Sequence, residues 1–190
     1  MRTESLSISG PLKISTPRSI DARGYFTETF NLAKLQALGV VEQDWVQDNQ
    51  SYSKEPFTLR GLHFQLPPFA QAKIVRVLRG KIFDAVVDLR PTSPTYGKWI
   101  GEILSSDNMN QLYVPTGFAH GFLTLEPDVE VSYKVSNFYS KDHERSLNWA
   151  DGTIAINWPL PAGAKPVLSE RDATAPELAT LKPELESLRW

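Results

Sequence analysis

Ala72-Lys-Ile-Val-Arg-Val-Leu-Arg79 and Lys81-Ile-Phe-Asp-Ala-Val-Val-Asp-Leu-Arg90 stand on either side of a single glycine, Gly80. Both runs are rich in β-branched and aliphatic residues, which suit a pleated and half-buried surface. They predict two extended strands joined as a hairpin at Gly80. Side chains alternate along a strand, so Lys73, Val75 and Val77 share one face, and Ile74, Arg76 and Leu78 share the other. Asp84, Val86 and Asp88 likewise share a face. A face that mixes lysine or tyrosine with valines is neither a plain solvent face nor a plain core. It reads as the inside of a ligand-holding barrel.

The pattern continues outward. Further strands are predicted at Lys98–Leu104, Gln111–Val114, Ala119–Thr124 and Val129–Val135, with turn residues such as Pro91-Thr-Ser-Pro94 and Ser105-Ser-Asp-Asn108 between them. Val131, Tyr133 and Val135 share a face of the last of these, as His63 and Gln65 do further upstream. Helical patterning is brief. It covers Leu32–Leu38, stopped by Gly39, and a Pro-interrupted tail after Thr174. The strand spacing and 14 prolines point to an antiparallel sandwich or barrel with many turns. At 190 residues and 41% hydrophobic, residues 1–190 are expected to form one domain with one core.

Composition excludes several function classes. A formal net charge of −2 provides no field for nucleic acid or an anionic membrane. There is no cysteine, hence no disulfide, thiolate nucleophile or cysteine zinc site. The N-terminal MRTESLSISG lacks an apolar signal core, and no apolar run approaches the ~18 residues of a membrane span, so a cytoplasmic protein is expected. No Gly-x-Gly-x-x-Gly or P-loop motif is present, so nicotinamide and ATP have no recognisable seat.

The chemistry-bearing residues fall on strand-like segments: His63 in Arg60-Gly-Leu-His63-Phe-Gln65, then Lys73, His120 in Pro115-Thr-Gly-Phe-Ala-His120-Gly121, and Tyr133. An imidazole, an ammonium and a phenol together move a proton beside a carbonyl. One takes the proton, one stabilises the enolate and one returns it. Each also has an inert reading. His63 and His120 read equally as hydrogen-bonded strand histidines, Lys73 as a snorkelling edge residue and Tyr133 as core. His143, in Lys-Asp-His-Glu-Arg, reads as a solvated loop residue. A metal-dependent oxygenase is the other competitor for two barrel histidines. No His-x-His pair exists, the position two after His63 is Gln65, and no carboxylate partner is evident, so no metal site is expected.

Longer stretches carry a resemblance. Arg23-Gly-Tyr-Phe26-Thr-Glu28-Thr-Phe30, Val46-Gln47-Asp48-Asn49-Gln-Ser51, Leu59-Arg60-Gly-Leu-His63-Phe-Gln65-Leu-Pro-Pro68, Val114-Pro-Thr-Gly-Phe-Ala-His-Gly-Phe122 and Leu168-Ser-Glu-Arg-Asp172 are among them. From about Asp21 to about Leu178 the chain resembles the dTDP-4-dehydrorhamnose 3,5-epimerase family. That resemblance implies a mainly β, antiparallel jelly-roll barrel of the cupin type with short peripheral helices. It implies an isomerase that inverts C3 and C5 of dTDP-4-dehydro-6-deoxy-D-glucose without a cofactor, in the rhamnose pathway that feeds cell-surface polysaccharide.

The resemblance also assigns roles. His63 would be the base, Asp172 the aspartate that orients it, Lys73 the enolate stabiliser and Tyr133 the acid on the opposite face. His120 would contact the sugar. Arg23, Phe26, Glu28, Gln47, Asn49, Arg60, Tyr139, Glu144 and Arg171 match positions that hold the nucleotide or its diphosphate. Arg171 stands where a lysine is usual. The family forms homodimers in which N-terminal strands cross to the partner, so some of these contacts would come from a second chain. The residues named leave open a sibling enzyme that epimerises one carbon for another deoxysugar, and a non-catalytic sugar-binding cupin.

Overall fold

The computed structural model describes all residues, Met1–Trp190. In chain order it holds β1 (Arg2–Ser5), β2 (Leu12–Ser15), β3 (Ser19–Asp21), β4 (Gly24–Phe26), α1 (Leu32–Ala37), β5 (Gln47–Ser53), β6 (Leu59–Gln65), β7 (Lys73–Arg79) and β8 (Lys81–Asp88). There follow β9 (Trp99–Ser105), β10 (Gln111–Val114), β11 (Phe118–Thr124), β12 (Val129–Val135), β13 (Glu144–Ser146), α2 (Glu170–Ala173) and α3 (Leu178–Glu186). A six-stranded sheet runs β1-β2-β10-β7-β12-β5, a five-stranded sheet runs β13-β6-β11-β8-β9, and β3-β4 form a separate hairpin. All strand pairs in these sheets are antiparallel. This is the mainly β jelly-roll architecture expected from the sequence. No helix is long and apolar enough to cross a membrane.

The expected β7–β8 hairpin does not form. β7 pairs with β10 and β12, whereas β8 pairs with β11 and β9, so the two strands lie in different sheets. Gly80, at φ 84°, turns the corner alone, and a Cβ there would meet Val129 Cγ2 at 2.8 Å. A two-residue primed turn would have kept the strands edge to edge. The one-residue corner stacks them face to face, and β8 is buried along nearly its whole length. Val75 and Val77 of β7 and Ile82 and Val86 of β8 therefore meet in one buried cluster between the sheets.

The face assignments hold. Val75 and Val77 point inward with Lys73 on the same face, whereas Ile74 points outward into a smaller cluster with Leu35 of α1. The remaining apolar cluster lies on the outer face of the five-stranded sheet, where Leu178, Leu181 and Leu185 of α3 cover it. Asn31 caps α1, its side chain accepting from the Lys34 amide, and Gly39 at φ 104° ends the segment as expected. β6 falls on the strand-like stretch around His63, whereas the residue pattern does not mark β1 to β5, β13 or α2 as elements. β5 reads Gln-Asp-Asn-Gln-Ser-Tyr-Ser, whose polar residues hide its strand character.

Candidate active site

The two sheets splay apart at one end and leave a cavity of about 690 Å³. His63 on β6 and His120 on β11 enter it from the five-stranded sheet, directly opposite each other in register. Lys73 on β7, Tyr133 on β12 and Gln47 and Asn49 on β5 enter it from the six-stranded sheet. Arg171 and Asp172 of α2 close one side. Arg60, Tyr139 and Glu144 also line it.

The structure thus brings together every predicted site residue except three. Arg23 lies in the β3–β4 turn and pairs with Asp21 at 2.6 Å. Phe26 is 74% exposed on the same hairpin. Glu28 pairs with Lys34 at 2.8 Å and borders a different, smaller cavity. None of the three lines the main cavity of its own chain. The hairpin projects away from the sandwich, with strand pairing only to itself.

His63 Nε2 lies 2.6 Å from Asp172 Oδ1. The aspartate is held there by its neighbours: the Gly61 amide donates to Oδ2 at 3.4 Å, and Ser169, the cap of α2, accepts from the Asp172 amide. Burial pulls the His63 imidazole below its ordinary pKa. Asp172 opposes this and the Arg171 and Lys73 charges add to it. Burial pushes the Asp172 carboxyl up, but the hydrogen bond and charge of His63, with Gly61 and Ser169, outweigh it and leave it low. At neutral pH the pair is an uncharged imidazole beside a carboxylate, which can accept a proton and stabilise the resulting charge.

Lys73 is buried rather than snorkelling, 9% exposed, and Nζ donates to the His63 carbonyl at 3.3 Å. Burial lowers its pKa to about 8, against the pull of Asp84 and Glu144. Burial raises the Tyr133 phenol, so it stays protonated. Tyr133 pairs in register with Val75 on one side and Asn49 on the other, which fixes its ring over the cavity.

The carboxylate partner that His120 seemed to lack is Asp84 of β8. It is fully buried, with Oδ1 2.6 Å from His120 Nε2. The signal was present in the alternation that put Asp84 on the inward face, since a buried carboxylate is nearly always paired. Each inward histidine therefore turns Nε2 to a carboxylate of its own, and no three metal-donor side chains gather anywhere. Gln65 is also accounted for: it clamps two loops, donating to the Phe69 and Phe138 carbonyls and accepting from the Ser140 amide. His143 is half-buried, packs its ring at 46° against Phe69 with centroids 4.6 Å apart and bonds Ser140, so it is not the solvated loop residue expected.

A family profile described as dTDP-4-dehydrorhamnose 3,5-epimerase matches residues 5–180. The chain belongs to that family. A dTDP-4-dehydrorhamnose 3,5-epimerase of Sinorhizobium fredii is 50% identical over 182 residues, covering 95% of this chain and 91% of that one. The crystal structure of the Bacillus anthracis dTDP-4-dehydrorhamnose 3,5-epimerase, with TDP and pyrophosphate bound, is 45% identical. It superposes with a TM-score of 0.88 over 93% of this chain and 98% of its own. The 3′-monoepimerase ChmJ of Streptomyces bikiniensis, in complex with dTDP-quinovose, is 34% identical with a TM-score of 0.87, covering 99% and 92%. As a member of the dTDP-4-dehydrorhamnose 3,5-epimerase family the chain is an isomerase acting on sugar nucleotides. In its cavity an imidazole and its carboxylate face a phenol and an ammonium carried by the other sheet.

Proposed function

We propose that this chain inverts both C3 and C5 of dTDP-4-dehydro-6-deoxy-D-glucose to give dTDP-4-dehydro-L-rhamnose, with no cofactor. His63 removes the proton from the carbon next to the C4 ketone. The electron pair moves onto the C4 oxygen, where the Lys73 ammonium stabilises it. Tyr133 delivers its phenol proton to the same carbon from the other face as the electron pair returns from oxygen. His63 then releases its proton to solvent, Tyr133 takes one up from solvent, and the cycle repeats at the second carbon. The observation that carries this reading is the placement of His63 and Tyr133 on opposite sheets, either side of one cavity, with Lys73 on the strand beside that of Tyr133 and donating to the His63 carbonyl. Their protonation states agree with it. The imidazole is held low, the phenol is held high, and the ammonium is tuned to about 8.

Gln47, Asn49, Arg60, His120, Tyr139, Glu144 and Arg171 line the cavity and are assigned to the sugar, the diphosphate and the thymidine. Arg23, Phe26 and Glu28 do not reach it in their own chain. The reading supplies them from a second copy, whose β3–β4 hairpin would dock on the open β5 edge. Ile20, 79% exposed, and Phe26 would then be covered. Residues 1–190 act as one domain in a homodimer, and a nucleotide-linked substrate suits the cytoplasm.

Solvent-deuterium incorporation tests the reaction. Incubated with dTDP-4-dehydro-6-deoxy-D-glucose in D₂O, the enzyme should yield product labelled at C3 and C5 by NMR. Label at one carbon alone would make it a monoepimerase. His63→Ala should lower turnover by roughly 10²–10⁴-fold, and near-normal turnover would remove His63 as the base.

A further inference from the structure

Arg171 makes a contact that a diphosphate ligand alone does not explain. Its Nη1 donates to Glu144 Oε2 at 2.5 Å. Its Nη2 lies 2.8 Å from His63 Nε2 and 3.3 Å from Nδ1. The guanidinium thus leans on the imidazole ring. Asp172 Oδ1 stands 2.6 Å from the same Nε2.

A ring nitrogen carries one hydrogen or one lone pair, not both. With the hydrogen, Nε2 donates to Asp172, and the lone pair is on Nδ1, which accepts from Arg171 Nη2 at 3.3 Å. With the lone pair, Nε2 accepts from Arg171 and faces a carboxylate with no proton between. Asp172 favours the first state, so the lone pair that would take up a proton is the one Arg171 engages. Arg171 is therefore seated against the nitrogen that has to be protonated, held there by Glu144 and, at 3.7 Å, by Asp172. An anion with paired oxygens offers its planar fork a better partner. A single-nitrogen ammonium could not span Glu144 and the imidazole in this way, which gives the arginine at this position a physical meaning.

We propose that Arg171 is a ligand-released brake on the base: without substrate it sits against the His63 imidazole and disfavours proton uptake, and the substrate diphosphate draws it away. This rests on the reading of His63 as the base and of the cavity as a dTDP-sugar site. Other charged or titratable groups also face His63. Lys73 approaches from β7, Glu144 from β13, Tyr133 from β12 and Asp172 from α2, with the His120–Asp84 pair across from it. Of the charged groups around the ring only Arg171 contacts both nitrogens, so the change on binding is assigned to it and to the ligand's own charge. Comparing variants separates the two.

The chain has only three histidines, so isotope-labelled imidazole signals are resolvable, and His63→Asn assigns the one that matters. His63 is titrated by NMR in the wild type, Arg171→Met and Arg171→Lys, each with and without saturating dTDP. Without dTDP, His63 should protonate at higher pH in Arg171→Met than in the wild type, with Arg171→Lys between them. With dTDP bound the wild-type and Arg171→Met curves should coincide, because the guanidinium has left the ring. Coincident curves without dTDP, or a gap that dTDP leaves unchanged, would overturn the brake while leaving the base assignment standing. Absence of dTDP binding to the wild type, read by calorimetry on the same samples, would overturn the brake together with the nucleotide-site reading.

Discussion

Replacing Lys73 by methionine should make the protein more stable and nearly inactive. The side chain is buried between the sheets, and its single hydrogen bond, to the His63 carbonyl, is 3.3 Å long. Burial brings its pKa from 10.5 down to about 8. At about 1.4 kcal/mol per unit, keeping the charge in place costs the folded state about 3 kcal/mol. Because the folded pKa is depressed, the penalty is complete below pH 8. Between pH 8 and 10.5 the folded protein sheds the proton while the unfolded chain keeps it, so wild-type stability rises with pH in that window. Methionine fills similar volume without charge. Lys73→Met should therefore gain about 2–3 kcal/mol at pH 7, about 4–12 °C in Tm for a chain of this size. The gain should shrink steadily towards pH 10. Urea denaturation at pH 7 and pH 9.5 measures it. Turnover should fall by about 10²–10³-fold, the usual loss when one preorganised donor to a developing oxyanion is removed. A variant less stable than wild type at pH 7, or a stability difference equal at both pH values, would refute the claim that Lys73 is held charged against burial.

Three other substitutions probe the geometry. Tyr133→Phe keeps the ring and removes the proton, so it should fold normally and still exchange substrate protons with D₂O while epimerising far more slowly. Exchange and inversion falling together would assign the acid elsewhere. Asp172→Asn removes the partner that raises the His63 pKa, so the acid limb of kcat/KM should move to lower pH and the rate at pH 7 should drop roughly 10²-fold or more; an unmoved acid limb would contradict the pairing. Gly61→Ala places a Cβ 2.6 Å from Gly121 Cα at φ 125°, so it should destabilise by about 2–6 kcal/mol through strain and overpacking. A loss under about 1 kcal/mol would show that β6 and β11 can spread there.

What could be read from the residues was what is local. Alternation assigned Lys73, Val75 and Val77 to one face because strand period is a property of the strand itself. Turn residues located β9 to β12 within a residue or so for the same reason. The hairpin reading at Gly80 failed because edge-to-edge and face-to-face packing of two adjacent strands use the same alternation, and only the other strands decide between them. Pairings across long separations were equally silent without the family resemblance. His63 and Asp172 are 109 positions apart, and His120 and Asp84 are 36 apart. Arg23, Phe26 and Glu28 could be assigned to a nucleotide by likeness, yet nothing in a single chain brings them to the cavity.

The failed hairpin is also what makes the chemistry available. Had β7 and β8 paired edge to edge, Lys73 would stand in the same sheet as Asp84, and the cavity would have lost one wall. Because Gly80 turns the chain into the opposite sheet, β7 and β12 face β6 and β11 across the core. Inversion of a carbon centre requires proton removal on one face and delivery on the other. In the proposed reaction a group on each wall of the sandwich meets that requirement, with the substrate ring between the walls. The depressed imidazole and the elevated phenol follow from the same placement, because each projects from a strand into the buried space between the sheets, where desolvation disfavours its charged form. The ammonium is the exception that burial would neutralise at high pH, and the nearby Asp84 and Glu144 charges hold its pKa at about 8 instead of lower. Phenol, imidazole and ammonium are thus tuned chiefly by which wall carries each of them and how deeply, more than by any one neighbour.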